Sequence, residues 1–378
     1  MGWPGVAHRR RSARGTGALA LARLCRGRGV TRRRRQRGRL AKLLAMLMLV
    51  IVLAVAAAAV WGGVTYLHFT RAPLNVRAAG QTVEIEKGRG FTGIVRQLRD
   101  DGLSDASPLL WRALAVRLGV ADKLHAGEYA LAPGMTPTVL LENMAAGRVL
   151  HRRVTLVDGW TFAQVRSALQ KAPRLKQELA ALTDAAAMVK LGDAEQSPEG
   201  EFMPDTYDYV LGMSDLDILA RAHKAMQEYL AKEWAGRDPS IPLQTPYQAL
   251  ILASLVEKET AVPAERPEIA GVFERRLGIG MKLDTDPSVI FGMGSAYAGK
   301  IHKSDLETDT PYNTYTRAGL PPTPIALPSR AAIRAVMHPA PGDALYFVAR
   351  GDGTHQFSAT LAEHNAAVKK YILGKNNR

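Results

Sequence analysis

The run Tyr247–Ala261, YQALILASLVEKETA, opens with Thr245-Pro246, a capping residue and a proline suited to a first helical turn. Leu250, Ile251, Ala253, Ser254 and Leu255 are nearly all apolar or small. A helix apolar nearly all round is buried, so this one belongs inside a globular body. Glu257 follows Ala253 by four residues and Ser254 by three, and so continues a face that is otherwise packed. A carboxyl carried on a buried helix is desolvated unless it meets a partner. Desolvation holds a proton on a carboxyl, which is the condition for a general acid. The alternative is a helix-end glutamate that is solvated or paired with Lys258. Glu259 lies about 200° further round the helix, so the two glutamates cannot share a face.

Downstream, the composition changes. Lys282–Gly294 holds Asp284-Thr285-Asp286-Pro287, Asp305–Tyr315 holds Pro311-Tyr312-Asn313-Thr314-Tyr315, and Arg317–Ile325 holds Gly319-Leu320-Pro321-Pro322. Loops of amides, tyrosines and carboxyls suit a sugar, because they match its hydroxyls and pack on its rings. The same residues also start and stop ordinary turns. The chain then closes with a hairpin, Leu345–Arg350 and His355–Ser358 around a Gly351-Asp352-Gly353 turn, and a helix at 361–373.

Upstream, Val154–Val157 reads as a strand and Thr161 caps a helix. An Ala- and Lys-rich stretch at 172–191 reads as helical, Glu199–Tyr207 as a positioned loop, and Leu216–Trp234 as an amphipathic helix. Further back, strand 82–86, helices 91–101 and 107–118, strand 127–131 and helix 137–146 form a small module that resembles a LysM-like glycan-binding unit.

The N-terminal region is different in kind. Leu43–Leu67 carries no charge and is long enough to cross a bilayer as a helix. Fourteen Lys and Arg precede it at positions 9–42, and only Arg71 and Arg77 follow closely. That bias places residues 1–42 in the cytoplasm and 68–378 outside. The chain carries 50 Lys+Arg against 35 Asp+Glu, a net charge of +15, yet the segment 1–83 holds 16 of the bases and no acid. The body is therefore neutral, with no electrostatic footprint for nucleic acid. The arm itself serves as a topology determinant, or binds nucleic acid or anionic lipid. The one cysteine, Cys25, lies in the arm, which leaves the body without disulfides or a thiol nucleophile. His338, His355 and His364 have no zinc-ligand spacing, and there is no P-loop, Rossmann fingerprint or Gly-x-Ser-x-Gly elbow. No metal or cofactor is expected.

Together, Ala253–Thr260, Leu283–Gly294, Pro311–Tyr315, Gly319–Pro322 and the Glu199–Tyr207 loop with its Pro204-Asp205-Thr206-Tyr207 resemble the endolytic murein transglycosylases, the YceG-like family. The resemblance covers roughly residues 80–373. It implies an α+β protein in five parts: a basic arm 1–42, a transmembrane helix 43–67, a linker 68–80, a LysM-like module 81–148 and a catalytic domain 149–378. It implies a peptidoglycan lyase of the bacterial cytoplasmic membrane, which cleaves the MurNAc–GlcNAc β-1,4 bond within strands, leaves 1,6-anhydro ends and limits strand length. Peptidoglycan synthases would be its partners. Glu257 matches the family's catalytic glutamate. Asp286, Asn313 and Tyr315 are the implied substrate contacts, with Glu259 in support beside them. Asp284 would be the second carboxyl if the enzyme were instead a hydrolase. A non-catalytic, membrane-tethered wall-binding scaffold is the remaining alternative.

Overall fold

The computed structural model describes residues 29–373, with side chains from Arg39 onward. Most of the basic arm, including Cys25, lies outside the described residues. Helix α1 (Gly29–Arg71) contains an apolar stretch, Arg39–Arg71, that is long and apolar enough to span a membrane, and the most apolar 18-residue part of it is unburied.

A first core follows directly. Strands β1 (Thr82–Ile85) and β2 (Gly127–Ala130) pair antiparallel, Thr82 opposite Ala130, with α2 (Phe91–Asp100) and α3 (Pro108–Leu118) between them in sequence. Helix α4 (Pro137–Ala145) comes next. Ile94, Val95 and Leu98 form the buried stripe of α2, and Trp111 and Leu114 that of α3. The segment 68–80 is not a free tether. Phe69 and Leu74 are buried in this core, the Phe69 and Trp111 rings meet edge-on at 5.2 Å, and Leu74 N–H donates to the Met135 carbonyl. The end of α1 is thus built into the first module.

The second core is built on strands β3 (Arg152–Leu156) and β4 (Asp205–Tyr209), which pair antiparallel. Helices α5 (Phe162–Lys171) and α6 (Asp184–Leu191) cover them together with the first turns of α7 (Asp215–Ala235). Two expectations change here. Residues 172–182 are not continuous helix: Pro173 follows the end of α5, and a residue before proline is driven out of the helical region. Arg174 then adopts φ +62°, a single 3₁₀ turn forms at Leu179–Ala181, and α-helix resumes only with α6, which Thr183 caps. Asp205–Tyr207, expected as the end of a loop, instead opens a strand, Asp205–Tyr209, whose Tyr207 and Tyr209 point inward.

The third and largest core surrounds α8 (Pro246–Glu259). Every residue from Ala249 to Val256 is buried, as the sequence requires of a helix apolar all round. Its neighbours are α7, α9 (Arg266–Gly278), α10 (Asp286–Met293) and α12 (Arg330–Met337), while α11 (Lys303–Glu307) stands in the loop between α10 and α12. The closing hairpin β5 (Tyr346–Ala349) and β6 (His355–Ser358) lays Phe347 and Phe357 on this core, and α13 (Leu361–Tyr371) packs on the hairpin. Gly200 shows why the quoted motifs belong together: a Cβ there would collide with the Pro324 ring, so only glycine lets the 199–204 loop meet the 319–324 turn.

Candidate active site

The two glutamates at the end of α8 enter different surroundings, as their separation of about 200° round the helix demands. The Glu257 side chain is 7% exposed and fully engaged. Its Oε2 accepts from Ser329 N–H at 3.0 Å and from Ser329 Oγ, and its Oε1 accepts from Arg266 Nη2 at 3.4 Å. Ser329 caps α12, accepting from Ala332 N–H, so Glu257 adds a negative charge at the start of that helix. Lys258 turns away to the Gly159 carbonyl. A cleft of about 450 Å³, lined by Asp158, Trp160, Gln164 and Arg266, does run beside Glu257. The residue is buried and does meet partners, but they are Arg266 and Ser329 and not Lys258. It ties the end of α8 to α9 and α12.

Glu259 faces a second cavity of about 540 Å³, lined also by Arg276, Asp284, Asp286, Tyr315 and Tyr346. Its carboxyl accepts from Thr285 Oγ1. Burial, reinforced by the charge of Asp286, pushes it up to about 6, against the Thr285 hydrogen bond and the fields of His355 and Arg276. This is the proton-holding condition that the sequence suggests for its neighbour. Tyr315 Oη donates to Asp286 Oδ1 at 2.6 Å. Burial first, then that acceptor, push the phenol well up, so it remains a donor. Asp284 holds a left-handed backbone, φ +48°, and its carboxylate lies 3.2 Å from Arg276 Nη1. Burial pushes Asp284 up, while Arg276 and Lys282 oppose it.

Buried hydroxyls fix the two loops that carry these groups. Thr285 N–H donates to Thr314 Oγ1 at 3.0 Å, Ser288 Oγ donates to the Thr285 carbonyl at 2.8 Å, and Ser288 and Thr314 bond each other at 2.9 Å. Thr285 therefore sits at the start of α10 with its hydroxyl aimed at Glu259, and Asp286 follows as the first residue of that helix.

Residues 83–370 match the YceG-like family. The chain belongs to it. A Bacillus subtilis (strain 168) protein named endolytic murein transglycosylase is 31% identical over 279 residues, covering 68% of this chain and 76% of that protein. Two Streptococcus pneumoniae proteins of the same name are each 26% identical over 330 residues, 78% of this chain but only 59% of theirs. A solved YceG-like protein of Listeria monocytogenes is 29% identical over 76% of this chain and 98% of that one, with a TM-score of 0.48.

In this YceG-like chain the structure gathers Glu259, Asp284, Asp286 and Tyr315 at one cavity and leaves Glu257 at another. Asn313 belongs to neither set. It is 1% exposed, and its Nδ2 donates to the carbonyls of Asp305, Leu306 and Thr308. Its Oδ1 accepts from Tyr315 N–H at 2.9 Å. All its donor capacity is spent within the loop, and what it does is set the backbone under Tyr315. Of the pocket residues that escaped the sequence reading, three bear on the site. Arg276, on α9, holds the Leu283 and Leu345 carbonyls and lies over the ring of the second, Tyr346, 5.3 Å from its centroid. The third, His355, weighed only as a metal ligand, bonds Glu265 through Nδ1 at 2.8 Å. The only local signal for any of them was their place in an otherwise ordinary helix and hairpin.

Proposed function

We propose that the chain is an endolytic lytic transglycosylase acting on the MurNAc–GlcNAc β-1,4 bond of peptidoglycan, with Glu259 rather than Glu257 as its acid and base. The observation that carries this reading is the desolvated Glu259 carboxyl, pushed up to about 6, opening on a cavity that also presents a carboxylate, a phenol and a guanidinium. A carboxyl with that affinity is protonated in a useful fraction near neutral pH and can also give its proton away. Glu259 donates its proton to the bridging oxygen as the muramyl C1–O bond breaks. The resulting carboxylate takes the proton of the muramyl C6 hydroxyl as O6 bonds to C1, closing the 1,6-anhydro ring. No water is consumed, and one carboxyl serves both steps because the nucleophile is in the substrate. Asp286, oriented by Tyr315, is placed to bind the acetamido group or balance charge at C1, and Asn313 acts through Tyr315.

The anchor, orientation and modules complete the reading. The apolar part of α1 spans the cytoplasmic membrane with the basic arm inside and the body in the periplasm, in accord with the charge bias. The β1–α2–α3–β2 unit is the LysM-like module at 81–148 and contacts glycan, and residues 149–378 form the catalytic domain. Peptidoglycan synthases act beside it at the membrane, where shortened strands arise. Mass spectrometry of products released from purified wall tests the reaction class. The lyase gives anhydro-muramyl ends, whereas a hydrolase using Asp284 or Asp286 with water gives reducing ends one water heavier.

A further inference from the structure

Away from both cavities, three side chains converge as metal ligands do. Asp193 follows α6, Glu201 lies in the loop before β4, and His223 is midway along α7. Their ligand atoms lie within 4.8 Å of one another. His223 Nε2 is 3.3 Å from Asp193 Oδ2 and 3.7 Å from Glu201 Oε2. Donors bound at ordinary Zn–N and Zn–O lengths to one tetrahedral ion stand about 3.3–3.6 Å apart. The distances from His223 to its two partners are therefore already close to the edge lengths of such a site.

The charge balance points the same way. The His223 and Glu201 side chains are each 6% exposed, and Asp193 is 24% exposed. Among the described residues no hydrogen-bond donor reaches the Glu201 carboxyl; its ion-pair contact is with the His223 ring nitrogen, at 3.7 Å. A buried carboxylate needs a positive partner, and this one has only the imidazole. Gln227, one turn after His223 on α7, directs its amide at His223 Nε2 (3.1 Å) and Asp193 Oδ2 (3.5 Å). Turning that amide over presents its oxygen as a fourth donor.

We propose that Asp193, Glu201 and His223 form a structural site for one divalent transition-metal ion, which clips the 193–203 loop to α7. Calcium needs six to eight oxygens and magnesium keeps most of its water, whereas one imidazole and two carboxylates at tetrahedral spacing suit Zn²⁺. The cluster lies near the start of α8, where the charges of Glu201 and Asp193 reach Tyr247, and Glu259 lies at the other end of that 14-residue helix, about 20 Å away. The ion therefore acts on the fold and not on the reaction. No short motif announces the site, because its ligands are scattered across positions 193, 201 and 223.

The test uses the full chain in detergent, stripped with chelator and titrated with Zn²⁺ by calorimetry and thermal melting. The expected result is one saturable Zn²⁺ per chain, a melting temperature that rises with Zn²⁺ concentration, and no such rise with equal Mg²⁺. Glu201→Gln keeps the shape and removes the buried charge, so it folds; it is expected to weaken binding at least 100-fold, as is His223→Gln. Absence of saturable binding, an equal response to Mg²⁺, or undiminished binding in folded Glu201→Gln overturns the proposal, whatever the enzyme activity proves to be.

Discussion

Replacing Glu259 with glutamine separates a proton-transfer role from a structural one. The folded carboxyl is pushed up to about 6 from an ordinary 4.5. Below pH 4.5 it is protonated in both folded and unfolded chains and costs nothing. As pH rises through 4.5 to 6, the unfolded chain loses its proton first, and folding then opposes ionisation. The destabilisation is complete above pH 6 and amounts to about 2 kcal/mol. Glutamine is never ionised and can still accept from Thr285 Oγ1. Glu259→Gln is therefore expected to match the parent near pH 4 and to be more stable by up to about 2 kcal/mol at pH 7.5, while anhydro-product formation falls by roughly 10²- to 10⁴-fold. Chemical denaturation at both pH values, paired with rate measurements, reads both effects. A variant destabilised equally at both pH values, or one that keeps its rate, refutes the reasoning.

Further outcomes follow from the geometry. Glu257→Gln weakens the links to Ser329 and Arg266 and should lower stability by about 1–3 kcal/mol, with the rate per folded molecule largely kept; denaturant titration and kinetics check it. Glu274 is buried with Oε1 unpartnered and is pushed up to about 8, so the stability gain of Glu274→Gln should grow as pH rises from 4.5 to 8 and be absent at pH 4, measured by melting at several pH values. Asn313→Ala frees three carbonyls and should reduce kcat more than stability, and Tyr315→Phe should lower kcat without unfolding the chain, as judged by kinetics beside circular dichroism. Phe69→Ala should destabilise the first module by about 3 kcal/mol because Phe69 is buried against Trp111, which hydrogen exchange in residues 82–145 reports.

Most of the elements could be read along the chain because their signals are local. Thr161 and Thr245 cap α5 and α8, the i, i+3, i+4 stripe of α2 is plain, and the Gly351–Gly353 turn makes the hairpin. Strand β4 was hidden because Pro204-Asp205 reads as a turn, and its inward tyrosines gain meaning only once β3 lies alongside. The failure at 172–182 was of another kind, a composition-based reading that passed over Pro173. In the site, periodicity marked the end of α8 and pointed to Glu257, which continues the packed face and borders its own cleft. What gives Glu259 its environment is the path of two later loops, one carrying Asp284 to Asp286 and the other Asn313 to Tyr315, and no local pattern encodes that path. Arg276 and His355 reach the cavity for the same long-range reason.

Anhydro-muramyl release from defined glycan strands by the parent, Glu257→Gln and Glu259→Gln proteins, each first shown to be folded, most directly tests the assignment. The account predicts product from the first two and none above background from the third. Product from Glu259→Gln, or a folded Glu257→Gln that releases none, would contradict it.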